Sequence, residues 1–180
     1  FTYRLLDPGN VRNRPPGGGG LYDIGCYAIL TARYVFGEEP VRVAATADID
    51  PNFGTDRLVS AIVEFPGGRH LVFSAATQLA GAQRVVIAGT AGRIEVKIPF
   101  NAPIDRPAEI VIDSGADLVG GGARSETFPP CDQYTLQGDA FAQAVRGQAP
   151  LEYSLDDAVA NMRVIDACFC AAKSAKWETV

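Results

Sequence analysis

The sequence predicts an α+β fold, in which an open and mainly antiparallel sheet of about six strands carries helices on one face. Apolar residues recur at helical spacing near both ends of the chain, and a two-residue alternation occupies the stretch between them. The order helix, strands, helices is typical of α+β domains, whereas parallel α/β folds alternate helices with strands. A chain of 180 residues falls within the size range of one domain, so residues 1–180 are assigned to a single domain.

The first helix is predicted over residues 21–36, directly after four consecutive glycines at 17–20. Its apolar residues lie three or four positions apart, as on one face of a helix. Gly37 stands where a left-handed residue commonly ends a helix, and Pro40 prevents continuation. Residues 1–16 contain three prolines and are predicted to be an extended segment.

Over residues 41–49 the apolar period becomes two, which predicts the first strand of the sheet. The Pro-Gly-Gly sequence at 66–68 and the Gly-Thr-Ala-Gly sequence at 89–92 are typical of tight turns, so neighbouring strands are expected to pair antiparallel. Residues 114–130 show no clear period and are predicted to be a loop with one short strand. The remaining strand candidates lie at 57–65, 69–78, 83–88, 93–98, 109–113 and 124–128.

Two helices are predicted at the end of the chain. The first spans residues 133–146 and is stopped by Gly147. The second begins after Ser154, a residue type that caps helix N-termini, and extends to about residue 173. Two aspartates in its first turn are favourably placed with respect to the helix dipole.

The strand predicted at 57–65 is apolar on both of its faces. Leu58 and Ile62 point to one side, and the alternating residues from Val59 to Phe65 point to the other. Because helices cover one face only, the second face is available for dimerisation, and we expect a homodimer or homotetramer. The alternative is that the pattern reflects strand propensity alone.

Composition excludes several classes of partner. A net charge of -5 and a pI near 4.9 argue against a nucleic-acid surface. No apolar run has the length of a membrane span and the N-terminal residues are not those of a signal peptide, so a cytoplasmic location is expected. The four cysteines lack metal-ligand spacing and are expected to be reduced, without a metal. The chain opens in mid-pattern at Phe1, so we expect a piece of a longer protein.

Asp23 and Tyr27 lie four residues apart on the first helix, so both side chains share one face. The preceding glycines allow close approach of a ligand to the backbone, and the helix N-terminus offers N–H groups. A tyrosine hydroxyl can give a proton to a carbonyl oxygen that receives hydride, if a nearby positive charge lowers its pKa. Spacing alone equally fits a structural explanation, in which Asp23 complements the helix dipole and Tyr27 packs.

The string Gly-Gly-Gly-Gly-Leu-Tyr-Asp-Ile-Gly-Cys-Tyr at 17–27 resembles the GGGxLxDxGxY signature of the glucose-fructose oxidoreductase, inositol dehydrogenase and MocA family. The resemblance continues through residues 33–37, the turn at 89–92 and the helix at 132–141, and it covers essentially the whole chain. Tyr27 places the chain in the branch with tyrosine at the last motif position, which includes glucose-fructose oxidoreductase and dimeric dihydrodiol dehydrogenase. The resemblance implies an oxidoreductase that moves hydride between NAD or NADP and a small sugar, polyol or dihydrodiol.

In this family an N-terminal Rossmann domain binds the nicotinamide cofactor, and the resemblance implies that this chain is the C-terminal part alone. It also implies that Tyr27 is the proton donor and acceptor, with Asp23 as its neighbour, and that the family's catalytic lysine lies on the other domain. The isolated chain is then expected to be inactive. The alternative is a non-catalytic binding or oligomerisation module that retains the fold.

Three further residues are candidates for substrate binding. Arg12 and Asn13 precede the glycines and are able to donate hydrogen bonds to a sugar or carboxylate. Tyr134 matches a family position near the substrate pocket. For each, an ordinary structural or solvated role is the alternative. His70 is the only histidine and is expected to be structural or exposed.

Overall fold

The computed structural model describes residues 1–180, and its internal contacts divide them into two compact units. The first unit comprises Phe1–Ala82 and Ser154–Val180, and the second comprises Gln83–Tyr153. The assignment of residues 1–180 to one domain stays a prediction.

The chain forms three α-helices and ten strands. The helices are α1 (Cys26–Phe36), α2 (Gln133–Val145) and α3 (Leu155–Ser174). The strands are β1 (Thr2–Arg4), β2 (Arg42–Ile49), β3 (Asp56–Phe65), β4 (Arg69–Ala76), β5 (Gln78–Ala82), β6 (Val85–Gly89), β7 (Gly92–Val96), β8 (Ala108–Asp113), β9 (Ala123–Phe128) and β10 (Glu178–Thr179).

The sheet of the first unit has six strands in the order β10-β2-β3-β4-β1-β5. All neighbouring pairs are antiparallel except β1 and β4, which run parallel with Thr2 opposite Ala76. These observations confirm the predicted α+β class and the mainly antiparallel sheet. Strands β1 and β10, with three residues and two residues, were not predicted.

One face of this sheet carries the hydrophobic core. Along β3 the odd-numbered side chains from Val59 to Phe65 are buried, whereas Ile62 is 42% exposed on the opposite face. Burial of each such side chain contributes roughly 1.5–3 kcal/mol. The core is completed from the helices, by Ile29 on α1 and Ile165 on α3. The predicted placement of helices on one face is therefore correct for α1 and α3.

A buried arginine ties α1 to α3. The Arg33 side chain is 5% exposed, and its Nη2 lies 2.7 Å from Glu39 Oε1 and 2.8 Å from Asp157 Oδ1. Because a buried charge needs partners, these two carboxylates are what allows Arg33 to lie in the core. Gly37 ends α1 with φ 63°, and Ser154 caps α3 by accepting from Asp157 N at 3.2 Å, both as predicted.

The second unit contains the four-stranded antiparallel sheet β6-β7-β8-β9 and α2. Its strands lie close to the predicted ranges, but they form a sheet of their own, which sequence periodicity does not reveal. No hydrophobic side chain of this unit is buried. Helix α2 begins after Asp132, whose carboxylate accepts from Tyr134 N at 3.0 Å. Its apolar residues are exposed, including Phe141 at 60%.

The outer face of the six-stranded sheet is arranged in rows across β2, β3 and β4. Ala44, Ile62 and Val72 form an apolar row, with Val72 72% exposed. The next row is Thr46, Ser60 and Ser74, in which the Ser60 and Ser74 hydroxyls are 2.7 Å apart. Of the two apolar residues predicted on this face, Ile62 is exposed and Leu58 is half-buried.

No helix in residues 1–180 combines the length and the apolar character that a bilayer crossing requires.

Candidate functional site

The glycine run at 17–20 packs against a buried carboxylate. Asp56, at the start of β3, is 2% exposed and accepts a hydrogen bond from Leu21 N at 2.7 Å. Burial raises the Asp56 pKa, and the N–H groups of Leu21 and Gly20 oppose that rise. Asp56 therefore caps the helix from 35 residues away. The expectation of ligand-accessible N–H groups at this helix end is wrong at Leu21, because Asp56 occupies that position.

The close approach of Asp56 explains why glycine is required at position 19. Gly19 has φ +108°, and a Cβ built there would lie 2.0 Å from Asp56 Oδ1. A Cβ on Gly18 would lie 2.5 Å from Arg14 O. Neither contact is possible for a side chain, so both glycines are required by packing rather than by a ligand.

The loop before the glycines is held against them by backbone hydrogen bonds. Gly19 N donates to Arg12 O at 2.8 Å, and Gly18 N donates to Arg14 O at 3.0 Å. Asn13 is 3% exposed, and its Nδ2 donates to Asp7 O at 2.8 Å. The structure thus gives Asn13 a role in holding the loop, and its role in substrate binding stays a prediction.

The segment that carries Asp23 is a π-helical turn, Leu21–Gly25, rather than the first turn of α1. Cys26 N donates to Leu21 O, which is the wider spacing of a π-turn. Gly25 lies inside this turn, and a Cβ there would be 2.8 Å from Leu21 Cδ1. Turns of this kind are frequent at functional sites. Here the turn contains Asp23, and Tyr27 follows as the second residue of α1.

Both oxygens of the Asp23 carboxylate are occupied. Oδ1 lies 2.9 Å from Arg12 Nε, and Oδ2 accepts a hydrogen bond from the Tyr3 hydroxyl. Burial, and then the hydrogen bond to Asp23, raises the Tyr3 pKa, so its phenol stays protonated and acts as a donor. The pKa of Arg12 is raised as well, first by its hydrogen bond to Asp23 and then by the negative charge of that carboxylate.

Tyr27 lies at the surface of the first unit, with 42% of the residue exposed. Its ring stacks on Phe1, with centroids 6.5 Å apart and planes inclined by 28°. The backbone beneath it is fixed, because Thr31 Oγ1 donates to Tyr27 O at 2.7 Å. The first unit therefore pairs the Asp23 carboxylate with the Arg12 guanidinium and carries the half-exposed Tyr27 four residues further along the chain.

Cys26 lies between the two candidate residues Asp23 and Tyr27 in the sequence. Burial raises its pKa to about 11, so the thiol is neutral at physiological pH. Asn161 on α3 donates from Nδ2 to Cys26 O at 3.3 Å, which links α3 to the start of α1. These contacts give Cys26 a packing role beside the site.

The predicted substrate-binding residue Tyr134 belongs to the second unit, at the start of α2, and is 65% exposed. His70 is exposed on β4, opposite Glu64 on β3. No group of three or more His, Cys, Asp or Glu side chains in residues 1–180 is arranged to hold a metal ion.

The sequence did not predict the roles of Tyr3 and Asp56. Asp56 opens β3 and caps a helix that begins 35 residues earlier, and no local sequence pattern indicates such a contact.

Residues 1–95 match the family model described as the GFO/IDH/MocA C-terminal domain. The chain belongs to the GFO/IDH/MocA family. This finding confirms the resemblance inferred from the glycine-to-tyrosine string. The match includes the glycine run, Asp23, Tyr27 and the six-stranded sheet except for β10.

Relatives in the GFO/IDH/MocA family are named as oxidoreductases. The chain is 44% identical over its whole length to the uncharacterized oxidoreductase ORF334 of Rhizobium meliloti, of which it covers 54%. It is 32% identical, over 97% of its length, to D-xylose 1-dehydrogenase (NADP(+)) 2 of Haloferax volcanii, of which it covers 52%. The chain spans about half the length of these relatives.

A solved structure of the same fold is that of aldose-aldose oxidoreductase from Caulobacter crescentus, complexed with glycerol. It superposes with a TM-score of 0.85 and 26% identity over 99% of this chain and 53% of that one. The likeness extends over both units of the GFO/IDH/MocA chain.

Proposed function

We propose that this chain is the substrate-binding and catalytic part of an NAD(P)-dependent oxidoreductase. The bound nicotinamide would supply hydride to a carbonyl carbon, or remove it from the alcohol carbon in reverse. Tyr27 gives its hydroxyl proton to the carbonyl oxygen as the alcohol forms, and takes it back in the oxidation. The observation that carries the proposal is the half-exposed Tyr27 on α1, four residues after an Asp23 carboxylate that is held on both oxygens.

The nicotinamide cofactor does not fit at the glycine run of this chain. A helix N-terminus binds phosphate through free N–H groups, but here the buried Asp56 carboxylate accepts from Leu21 N. A pyrophosphate would have to approach that carboxylate, and the like charges repel. The cofactor is therefore assigned to a part of the protein outside residues 1–180, as the family predicts. The NADP(+) in the name of the Haloferax volcanii relative supports a nicotinamide without deciding between NAD and NADP.

A sugar, polyol or dihydrodiol is the substrate class that we propose. The names of the xylose dehydrogenase and the aldose-aldose oxidoreductase favour a sugar. Arg12 uses Nε on Asp23, while its side chain is 54% exposed, so its terminal nitrogens remain able to donate to a substrate hydroxyl. Asn13 in the first unit and Tyr134 in the second unit are each proposed as further substrate-binding residues.

The role of Tyr27 is tested in the protein that carries this chain together with its nicotinamide-binding part. Tyr27→Phe keeps the ring stacked on Phe1 and removes only the hydroxyl. We expect kcat for the reduction of NAD or NADP, across a panel of aldoses, polyols and dihydrodiols, to fall by about 10²–10⁴-fold. Tyr34→Phe, at a 70% exposed position of α1, is the matched control and should leave kcat unchanged.

If Tyr27→Phe and Tyr34→Phe both lose activity, or if both keep it, the proposed role of Tyr27 in proton transfer is contradicted. An unmodified protein that is inactive with the whole panel would favour the alternative of a binding or oligomerisation module.

We also propose that the outer face of the six-stranded sheet forms the homo-oligomer interface. The row of Ala44, Ile62 and Val72 presents apolar area next to the hydroxyl row, so two copies related by a twofold axis would bury the same apolar surface of each copy.

Val72→Asp places a charge in this row, and we expect the dimer to dissociate. Val86→Asp, on β6 with Val86 49% exposed, is the control. Sedimentation velocity at tens of micromolar decides: an unmodified protein that is monomeric excludes the interface.

A further inference from the structure

We infer that Tyr3 is a positioning residue of the proposed catalytic site, and that its hydroxyl holds the Asp23 carboxylate in place. The inference rests on the proposed function, in which Tyr27 exchanges a proton with the substrate. Tyr3 touches Asp23 and is not proposed to touch the substrate.

The position of Tyr3 in the fold gives it a rigid base. It lies in β1, which pairs with β4 on one side and with β5 on the other. Leu5 N also donates to Thr77 O at 2.8 Å, directly after β1. The backbone of Asp23, in the π-turn, is held by its N–H, which donates to Gly19 O at 3.1 Å. The hydrogen bond from Tyr3, on an interior strand, constrains the side chain of Asp23 as well.

The two partners of Asp23 differ in their surroundings. The Arg12 side chain is 54% exposed, so solvent and salt weaken its ion pair with Asp23 Oδ1. The Tyr3 hydroxyl donates to Oδ2 in a partly buried setting, where a hydrogen bond to a charged group is stronger. The hydrogen bond from Tyr3 is therefore less screened by solvent than the ion pair with Arg12, and it holds the Asp23 carboxylate from the sheet.

An aromatic chain connects Tyr3 to Tyr27 as well. The Tyr3 ring meets Phe1 edge-on at 6.4 Å, and Phe1 stacks on Tyr27 at 6.5 Å. Tyr3 thus contacts Asp23 through its hydroxyl and reaches Tyr27 through the packing of its ring. A change of Tyr3 to Phe separates these contributions, because it keeps the ring and removes the hydroxyl.

The first measurement is spectroscopic and needs no activity. In the chain labelled with 13C at aspartate carboxyl groups, the Asp23 signal is assigned by its loss in Asp23→Asn. We expect Tyr3→Phe to shift this signal, because Oδ2 loses its donor. Tyr22→Phe is the matched control on the same π-turn, where the Tyr22 ring lies 5.2 Å from Phe169, and it should leave the Asp23 signal in place.

The second measurement is kinetic, in the protein with its nicotinamide-binding part. We expect Tyr3→Phe to lower kcat by about tenfold with KM changed less than about twofold, since a misplaced catalytic group costs rate rather than binding. Tyr22→Phe should change neither by more than about twofold.

An Asp23 signal that does not move in Tyr3→Phe overturns the inference, and so does a raised KM at unchanged kcat, which would make Tyr3 a substrate ligand. An unmodified protein without activity on any substrate removes the proposed function. In that case the Asp23 signal still decides whether Tyr3 holds the carboxylate.

Discussion

The two units of the chain differ in how they use their apolar residues. All seventeen buried hydrophobic residues belong to the first unit. The second unit, Gln83–Tyr153, has a four-stranded sheet and a helix of thirteen residues, and its one buried residue is Asp113. Both units have regular secondary structure, but only the first has a hydrophobic core of its own.

This difference shows that amphipathic spacing predicts an element without predicting its burial. Helices α2 and α3 both have apolar residues at helical spacing and both were predicted as helices. On α3, Ile165 is 1% exposed and Cys168 is fully buried, whereas on α2 Phe141 remains 60% exposed. Because burial of apolar area is the main source of stability, we expect the first unit to unfold cooperatively and the second to open locally at lower cost.

The largest effect is expected from truncating the same residue type in each unit. Phe65 is 1% exposed in the core and packs edge-on against Phe36 with ring centroids 4.9 Å apart. Phe65→Ala should lower the free energy of unfolding by about 3–5 kcal/mol, because it leaves a cavity. Phe141→Ala, on α2, should change it by less than about 0.5 kcal/mol. Urea denaturation measures both, and similar losses in the two variants would break the contrast between the units.

A second pair of substitutions places alanine at a glycine of each unit. Gly19→Ala in the first unit should lower the free energy of unfolding by about 2–4 kcal/mol, because its φ is positive and its Cβ would overlap Asp56. Gly138→Ala in the interior of α2 meets no atom within 4 Å and should raise it by about 0.5–1 kcal/mol. Thermal unfolding and urea titration of both variants test whether the free energy of unfolding falls in Gly19→Ala and rises in Gly138→Ala. A neutral Gly19→Ala would show that the glycine run is not a packing requirement.

The smallest effect concerns the charge that ties α1 to α3. Arg33 lowers the Glu39 pKa through its hydrogen bonds, so this carboxyl contributes stability above its ordinary pKa and loses it as pH falls through the lowered value. We expect the free energy of unfolding of the unmodified protein to exceed that of Glu39→Gln by about 0.3–1 kcal/mol at pH 6, since Glu39 is 60% exposed. This gap should close as the pH falls through the lowered pKa of Glu39. Glu152→Gln in the second unit is the control. A gap that persists at pH 3 would contradict the assignment.

Local pattern was sufficient for most of the fold. The alternation from Val59 to Phe65 predicted both the strand and its buried face, and Ser154 predicted the start of α3. Strand β1 was missed because three residues carry no period, and it exists through its pairing with β4 and β5. The break between β4 and β5 was missed as well; there Thr77 N donates to Arg57 O, a contact between distant residues.

The candidate site residues divide in the same way. Asp23 and Tyr27 were predicted from a local spacing, and their functional roles stay a proposal. Tyr3 and Asp56 act across 20 and 35 residues, and no local pattern marks such partners. Arg12 was predicted as a polar ligand; its ion pair with Asp23 depends on the loop docked against Gly18 and Gly19, which only the fold supplies.

The Arg42 guanidinium lies over the ring of Trp177, the only tryptophan of the chain, at 4.7 Å from the centroid. Trp177 is 44% exposed and lines, together with Ile62 and Val72, a groove on the outer face of the six-stranded sheet. In the homo-oligomer proposed above, a second copy would cover this groove and change the polarity and the quenching around the indole. The intrinsic fluorescence of Trp177 is then expected to report self-association on dilution, without a label or a substitution.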